Sequence, residues 1–161
     1  MTKLTFDDGR VRLDINGNGT LVFNPSDFNV YERFYALLKE LPELEKQYAS
    51  EVETPDESTQ DEQAAAVELA GRELIRAKEI DGLIKSKLSH AFGTENDFDQ
   101  LLGGVNLMAF GNNGERIITN FLNAILPYIE KGVAKHTGNE VATAHANREQ
   151  RRAAQKKGAK K

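Results

Sequence analysis

The chain has no cysteine and no tryptophan, only four prolines in 161 residues, and no run approaching the ~18 apolar residues that a membrane-spanning helix needs. Without cysteine there are no disulfides, no thiolate-bound zinc, no iron–sulfur cluster and no thiol nucleophile. The opening MTKLTFDDGR lacks the apolar centre of a secretory signal, so a soluble protein inside a cell is expected. Eight Phe and four Tyr supply all the aromatic anchors. The hydrophobic share, 39%, is low for a globular chain and the charged share, 29%, is high, so part of the length is expected to be solvated linker or tail around one core.

Charge is present but unevenly placed. The chain carries 21 Lys and Arg against 25 Asp and Glu. Seven of the basic residues and one acid fall within residues 147–161 (NREQRRAAQKKGAKK), which leaves 14 basic against 24 acidic residues before them, a net of about −10. An anionic body with a cationic arm reads as a soluble domain carrying an interaction tail.

The pattern along the chain predicts an α+β fold, mainly helical. An N-terminal β hairpin or meander packs with a core of three or four helices, and a basic C-terminal tail follows. Leu4-Thr5-Phe6 is followed by turn residues Asp7-Asp8-Gly9, and Val11, Leu13 and Ile15 then alternate with polar residues as in a half-buried strand. Asn16-Gly17-Asn18-Gly19 supplies turn chemistry before the return strand Thr20 to Phe23. Ser26, Asp27 or Asn29 can cap a helix whose apolar face is Val30, Phe34, Leu37, Leu38 and Leu41, and Pro42 is expected to end or kink it, or to start a new turn. With that helix, residues 1–48 form the first part.

Residues 49–62 hold six acids and no base, and read as a flexible linker. Residues 63–138 complete the same domain. A long helix over 63–91 is expected to bury Val67, Ala70, Leu74, Ala77, Ile80, Ile84, Leu88 and Ala91 despite Gly71 and Gly82, and to turn its charged residues, Lys85 among them, mainly elsewhere. Thr94 to Asp97 opens a short helix to Leu102, ended by Gly103-Gly104. Another helix over 115–135, with Ile117, Ile118, Phe121, Ile125, Ile129 and Val133 inside, is expected to bend at Pro127 and close at Gly138. The remainder, 139–161, is the basic tail, disordered alone and able to become helical on a partner.

No catalytic constellation stands out. Asp14 to Pro25 (DINGNGTLVFNP) mimics the start of a calcium loop, but Pro25 occupies the place of the bidentate Glu and the flanks read as strands, so a hairpin turn is expected. His90, His136 and His145 form no close-spaced pair on a helix face, and the glycine clusters match no phosphate-binding loop. No nucleophile, base and oxyanion donor assemble into a set, so a non-enzyme without metal or cofactor is expected. The basic tail has three readings: a solvated terminus, a salt-sensitive nucleic-acid arm, or an arm for an acidic helical partner or a second copy. The anionic body and the absence of an aromatic residue in the tail disfavour nucleic acid. Arg148, Arg151, Arg152, Lys156 and Lys157 are the candidate partner-binding residues.

Four segments carry a resemblance to a known family: NPSDFNVYERFYALLKELPELEKQY at 24–48, KEIDGLIKSKLSHAFGTENDFDQLLGG at 78–104, GNNGERIITNFLNAILPYIEK at 111–131 and NREQRRA at 147–153. Together they resemble the tail assembly chaperones of long-tailed (siphovirus-type) phages of Gram-positive bacteria. The resemblance implies a non-enzymatic protein that binds the helical tape measure protein, keeps it soluble and promotes assembly of tail tube protein around it. It further implies action in the host cell cytoplasm and absence from the mature virion. The competing readings are a structural tail or head–tail adaptor component and a small nucleic-acid-binding accessory protein. Self-association is a further expectation; membrane contact is not.

Overall fold

The alternation at Val11 to Ile15 and the Asn-Gly turn that follows dictate a hairpin, and the hairpin forms. In the computed structural model, which describes residues 1–50 and 62–158, β1 (Val11–Asp14) pairs antiparallel with β2 (Thr20–Phe23), with Leu13 opposite Leu21 and Val11 opposite Phe23. Asn16 and Gly17 adopt positive φ at the turn, and the Asp14 carboxylate accepts the Gly17 amide at 3.0 Å. Residues 14–25 are therefore a hairpin. Leu4-Thr5-Phe6 does not join it as a strand, and residues 1–10 are exposed throughout.

Among the described residues four helices follow: α1 (Phe28–Ser50), α2 (Glu62–Phe92), α3 (Phe98–Leu101) and α4 (Ile117–Gly158). The chain is thus α+β and mainly helical, with the hairpin packed against the helices. Asp27 caps α1, its carboxylate accepting the Asn29 amide at 2.9 Å while its carbonyl accepts from Val30 and Tyr31. Asp97 caps α3 by accepting from Asp99 and Gln100. Gly103 and Gly104 turn the chain afterwards with φ of 65° and 69°, values that an L side chain adopts only at a cost.

Several boundaries differ from the sequence expectation. α1 neither stops at Pro42 nor restarts, but runs through it to Ser50. Leu37 and Leu41 before the proline are buried, and Leu44 and Tyr48 after it pack on the core, so burial on both sides offsets the missing amide bond. The acidic linker assigned to 49–62 lies outside the described residues except at its ends, where Ala49 and Ser50 finish α1 and Glu62 opens α2. α4 does not close at Gly138 but continues to Gly158. A single glycine costs a helix interior only about 1 kcal/mol relative to Ala, and the following Ala-, Arg-, Gln- and Lys-rich sequence favours helix at nearly every step.

The core sits where the hairpin, α1, the end of α2, α3 and the first part of α4 meet. Phe34, Ile84, Leu88, Leu107, Ile118 and Ile129 are fully buried there. Phe92 lies at its centre, with its ring centroid 5.1 Å from Phe23 and 5.8 Å from both Phe34 and Phe98. α4 crosses the Asn24-Pro25 turn at Gly132, where a Cβ would overlap the Pro25 carbonyl, and the Ser26 hydroxyl donates to the Gly132 carbonyl at 3.4 Å. Only glycine allows that approach. Gly132→Ala, which would stabilise an exposed helix, is expected to lower stability by about 2 kcal/mol through overpacking. A denaturant titration checks the sign; Gly138→Ala, with open space around it, serves as the control and is expected to be neutral or stabilising.

Candidate partner-binding site

The register of α1 against α2 decides which apolar residues are covered. The two helices run antiparallel, with Lys87 ion-paired to Glu40 and the Arg33 guanidinium donating to the His90 carbonyl at 3.3 Å. At equal rise along both helices, Ser50 at the end of α1 falls opposite about residue 76 of α2. The segment of α2 before that point therefore extends past its partner by roughly 20 Å. Along this extension the predicted buried stripe is exposed: Val67 at 74%, Leu74 at 72% and the adjacent Ile75 at 63%. Ile84, Leu88 and Ala91, farther along the same stripe and opposite α1, are buried as expected.

More apolar surface gathers at this end of the molecule. The Asn106 carboxamide donates to the Ala77 carbonyl at 3.1 Å, which brings exposed Val105 beside α2. The Arg116 guanidinium lies 4.9 Å from the Phe110 ring centroid and 5.6 Å from that of Tyr48, and Phe110 is itself exposed. An exposed apolar surface built from α2 and an adjacent loop is suited to cover the apolar face of a helix.

The loop is held there by ionic and polar bonds that the sequence reading missed. Lys85, expected to point away from the core, is buried between Asp81 at 2.8 Å and Asp99 at 2.7 Å. Asp81 also accepts the Leu107 amide at 2.8 Å, so the α2 carboxylate anchors both the ammonium and the loop. The i, i+4 spacing of Asp81 and Lys85 was a readable signal for this pair. The partner Asp99 comes from α3 and was not.

The basic residues fall at the other end. Phe28 at the start of α1 packs edge-on against His136 of α4, with ring centroids 4.3 Å apart, whereas Tyr48 near the end of α1 meets Arg116 just before α4. α4 is therefore antiparallel to α1, and its later half leaves the body beyond the start of α1. Arg148 is exposed on this extension, and Arg151, Arg152, Lys156 and Lys157 lie on the same helix. Positions 148, 152 and 156 follow at intervals of four, along one side of a helix. The arm and the apolar surface are thus at opposite ends of the molecule, separated by the length of α1, or about 35 Å.

A cleft of about 490 Å³ opens between the hairpin and α4. Among the described residues no group of three or more His, Asp or Glu gathers with metal-ligand geometry, and no helix is long and apolar enough to cross a membrane. No protein-family model matches the chain, and comparisons with curated proteins and with solved structures also return no match.

The ionic pair has a pH signature. Burial pulls the Lys85 ammonium down, but hydrogen bonds to Asp81 and Asp99 outweigh it and leave the group above its usual 10.5. A base raised in the folded state stabilises in full below its unfolded value and loses that contribution as pH rises through the folded value. Burial, with Tyr35 and Asp27 nearby, likewise pushes the Tyr31 phenol above 10.0. Stability should therefore fall with alkali only above about pH 10. Lys85→Met is expected to cost about 2 kcal/mol at pH 7, the scale of a charged hydrogen bond, and to leave only the alkaline loss due to Tyr31. Thermal unfolding from pH 7 to 11.5 measures both.

Proposed function

We propose that the protein is a phage tail assembly chaperone that binds the helical tape measure protein, keeps it soluble and promotes assembly of tail tube protein around it. The observation that carries this reading is the exposed stripe of Val67, Leu74 and Ile75 on the part of α2 that outruns α1. An amphipathic helix laid against that stripe would remove apolar surface from water on both sides, at roughly 25 cal/mol per Å² before the costs of association. The anionic body keeps the loaded complex soluble and discourages self-precipitation. The cationic arm, about 35 Å away along α1, suits a long rod with acidic stretches better than a short peptide, because only a rod reaches both ends. Work of this kind takes place in the host cell cytoplasm and needs no catalytic group or cofactor.

The test is co-expression with a tape measure protein, the long helical client that this reading names. Soluble complex is expected with the native chain. Leu74→Asp with Ile75→Asp alters two exposed positions without touching the core, and is expected to weaken capture about tenfold or more per lost anchor. Undiminished client solubility with that double variant would remove the reading. Recovery of the protein as a stoichiometric part of purified particles would favour a virion adaptor instead, and salt-sensitive DNA binding would favour the accessory role.

A further inference from the structure

The two strands of the hairpin are covered unequally. On β2 the inward residues Leu21 and Phe23 are 0% and 2% exposed, yet their direct partners on β1, Leu13 and Val11, stay half-buried. The outer edge of β2 is occupied: the Asn96 carboxamide accepts from the Val22 amide and donates to the Val22 carbonyl, both at 2.9 Å. The outer edge of β1 pairs with no other strand among the described residues. The cleft opens beside it, lined by Leu13, Ile15, Leu102, Ile117, Ala124 and Tyr128, with Asp14 the one charged side chain in its wall.

The same chain carries a segment of matching chemistry. Leu4 and Phe6 are 86% and 77% exposed and two residues apart, so an extended backbone turns both to one face. Lys3 precedes them and complements Asp14. The segment does not reach its own β1 edge, because its root is fixed on the β2 side. Asn24, just after β2, donates to the Asp8 carbonyl at 2.9 Å. Arg10 bridges Asp8 and Glu95, each at 3.1 Å, and Glu95 adjoins the Asn96 that covers β2. The Asp7 carboxylate accepts the Gly9 amide, and Gly9 has φ of 68°, which sets the direction of departure.

From the open β1 edge, the partly apolar cleft and the strand-patterned arm anchored away from it, we infer that two copies of this chain exchange their N-terminal arms. Residues 3–6 of each copy add as a strand to β1 of the other, with Leu4 and Phe6 in the cleft and Lys3 beside Asp14. Reciprocal exchange closes a two-fold dimer and completes the cover over Leu13 and Val11. This surface is separate from the α2 stripe, so dimer formation and client binding stand or fall independently.

Light scattering on the eluting peak from size exclusion tests it. The full chain is expected at twice the chain mass, and deletion of residues 2–6 is expected to return it to the monomer with unchanged helical circular dichroism, since those side chains are exposed. Ala124→Arg, at an exposed α4 position in the cleft wall, keeps high helix propensity and is also expected to be monomeric. Mixing the two variants supplies one intact arm and one open cleft, and a 1:1 complex should form. A full chain that stays monomeric to about 1 mM, the weak limit of useful association, overturns the inference. So does an arm-deleted chain that remains dimeric, or a mixture that yields no complex.

Discussion

A carboxamide offers two donor hydrogens and an acceptor oxygen, and at Asn96 the surrounding protein engages both kinds of group. The side chain is 3% exposed. Its nitrogen donates to the carbonyls of Val22 and Phe92 at 2.9 Å and of Gly93 at 3.3 Å, and its oxygen accepts the Val22 amide. The carbonyls of Phe92 and Gly93 mark the end of α2, and Val22 is in the middle of β2. One residue thus stands in for a neighbouring strand and caps a helix. The turn that presents it is held by Ser89, whose hydroxyl donates to the Asn96 carbonyl at 3.0 Å. Because leaving such groups buried and unsatisfied costs about 1–3 kcal/mol each, the hairpin has little freedom to sit elsewhere on the helices.

The rest of the architecture follows from that joint. Fixing β2 over the end of α2 sets Phe23 against Phe92 and aligns the ring cluster that Phe34, Phe98 and Phe121 complete. It covers one edge of the hairpin and leaves the other open beside the cleft. α2 departs from the joint antiparallel to α1 and outlasts it, which exposes Val67, Leu74 and Ile75 at the far end. α4 passes the near end at Gly132 and continues outward with the basic residues. An apolar surface and a cationic arm at opposite ends of an anionic body form the physical basis of the proposed grip on a long helical protein.

Much of this was legible in the chain. The hairpin followed from period-2 alternation and Asn-Gly turn chemistry, and the buried faces of α1 and of the first part of α4 followed from helical spacing. Of the outcomes open at Pro42, a stop does not occur because the missing amide bond is a local effect, whereas Leu37, Leu41, Leu44 and Tyr48 act through tertiary packing. Periodicity placed Val67 and Leu74 on the same stripe as Leu88, but a stripe records which side of a helix is apolar and not how far its neighbour extends. The unequal lengths of the two expected helices held that signal. Asn96 lies in a capping sequence near a helix start, but its bonds to Val22 cross 74 residues and no local pattern announces them. The basic arm was visible as composition alone, and its continuity with α4 depends on Gly138 being tolerated in a helix.

Native-state hydrogen exchange on Asn96→Ala tests the joint most directly. Loss of the carboxamide is expected to reduce protection of the Val22 and neighbouring β2 amides and of the last turn of α2 together, by about 2 kcal/mol or some thirtyfold in exchange, while the middle of α1 changes less. Protection of β2 that survives while only the end of α2 loosens, or the reverse, would contradict the claim that one side chain couples the two.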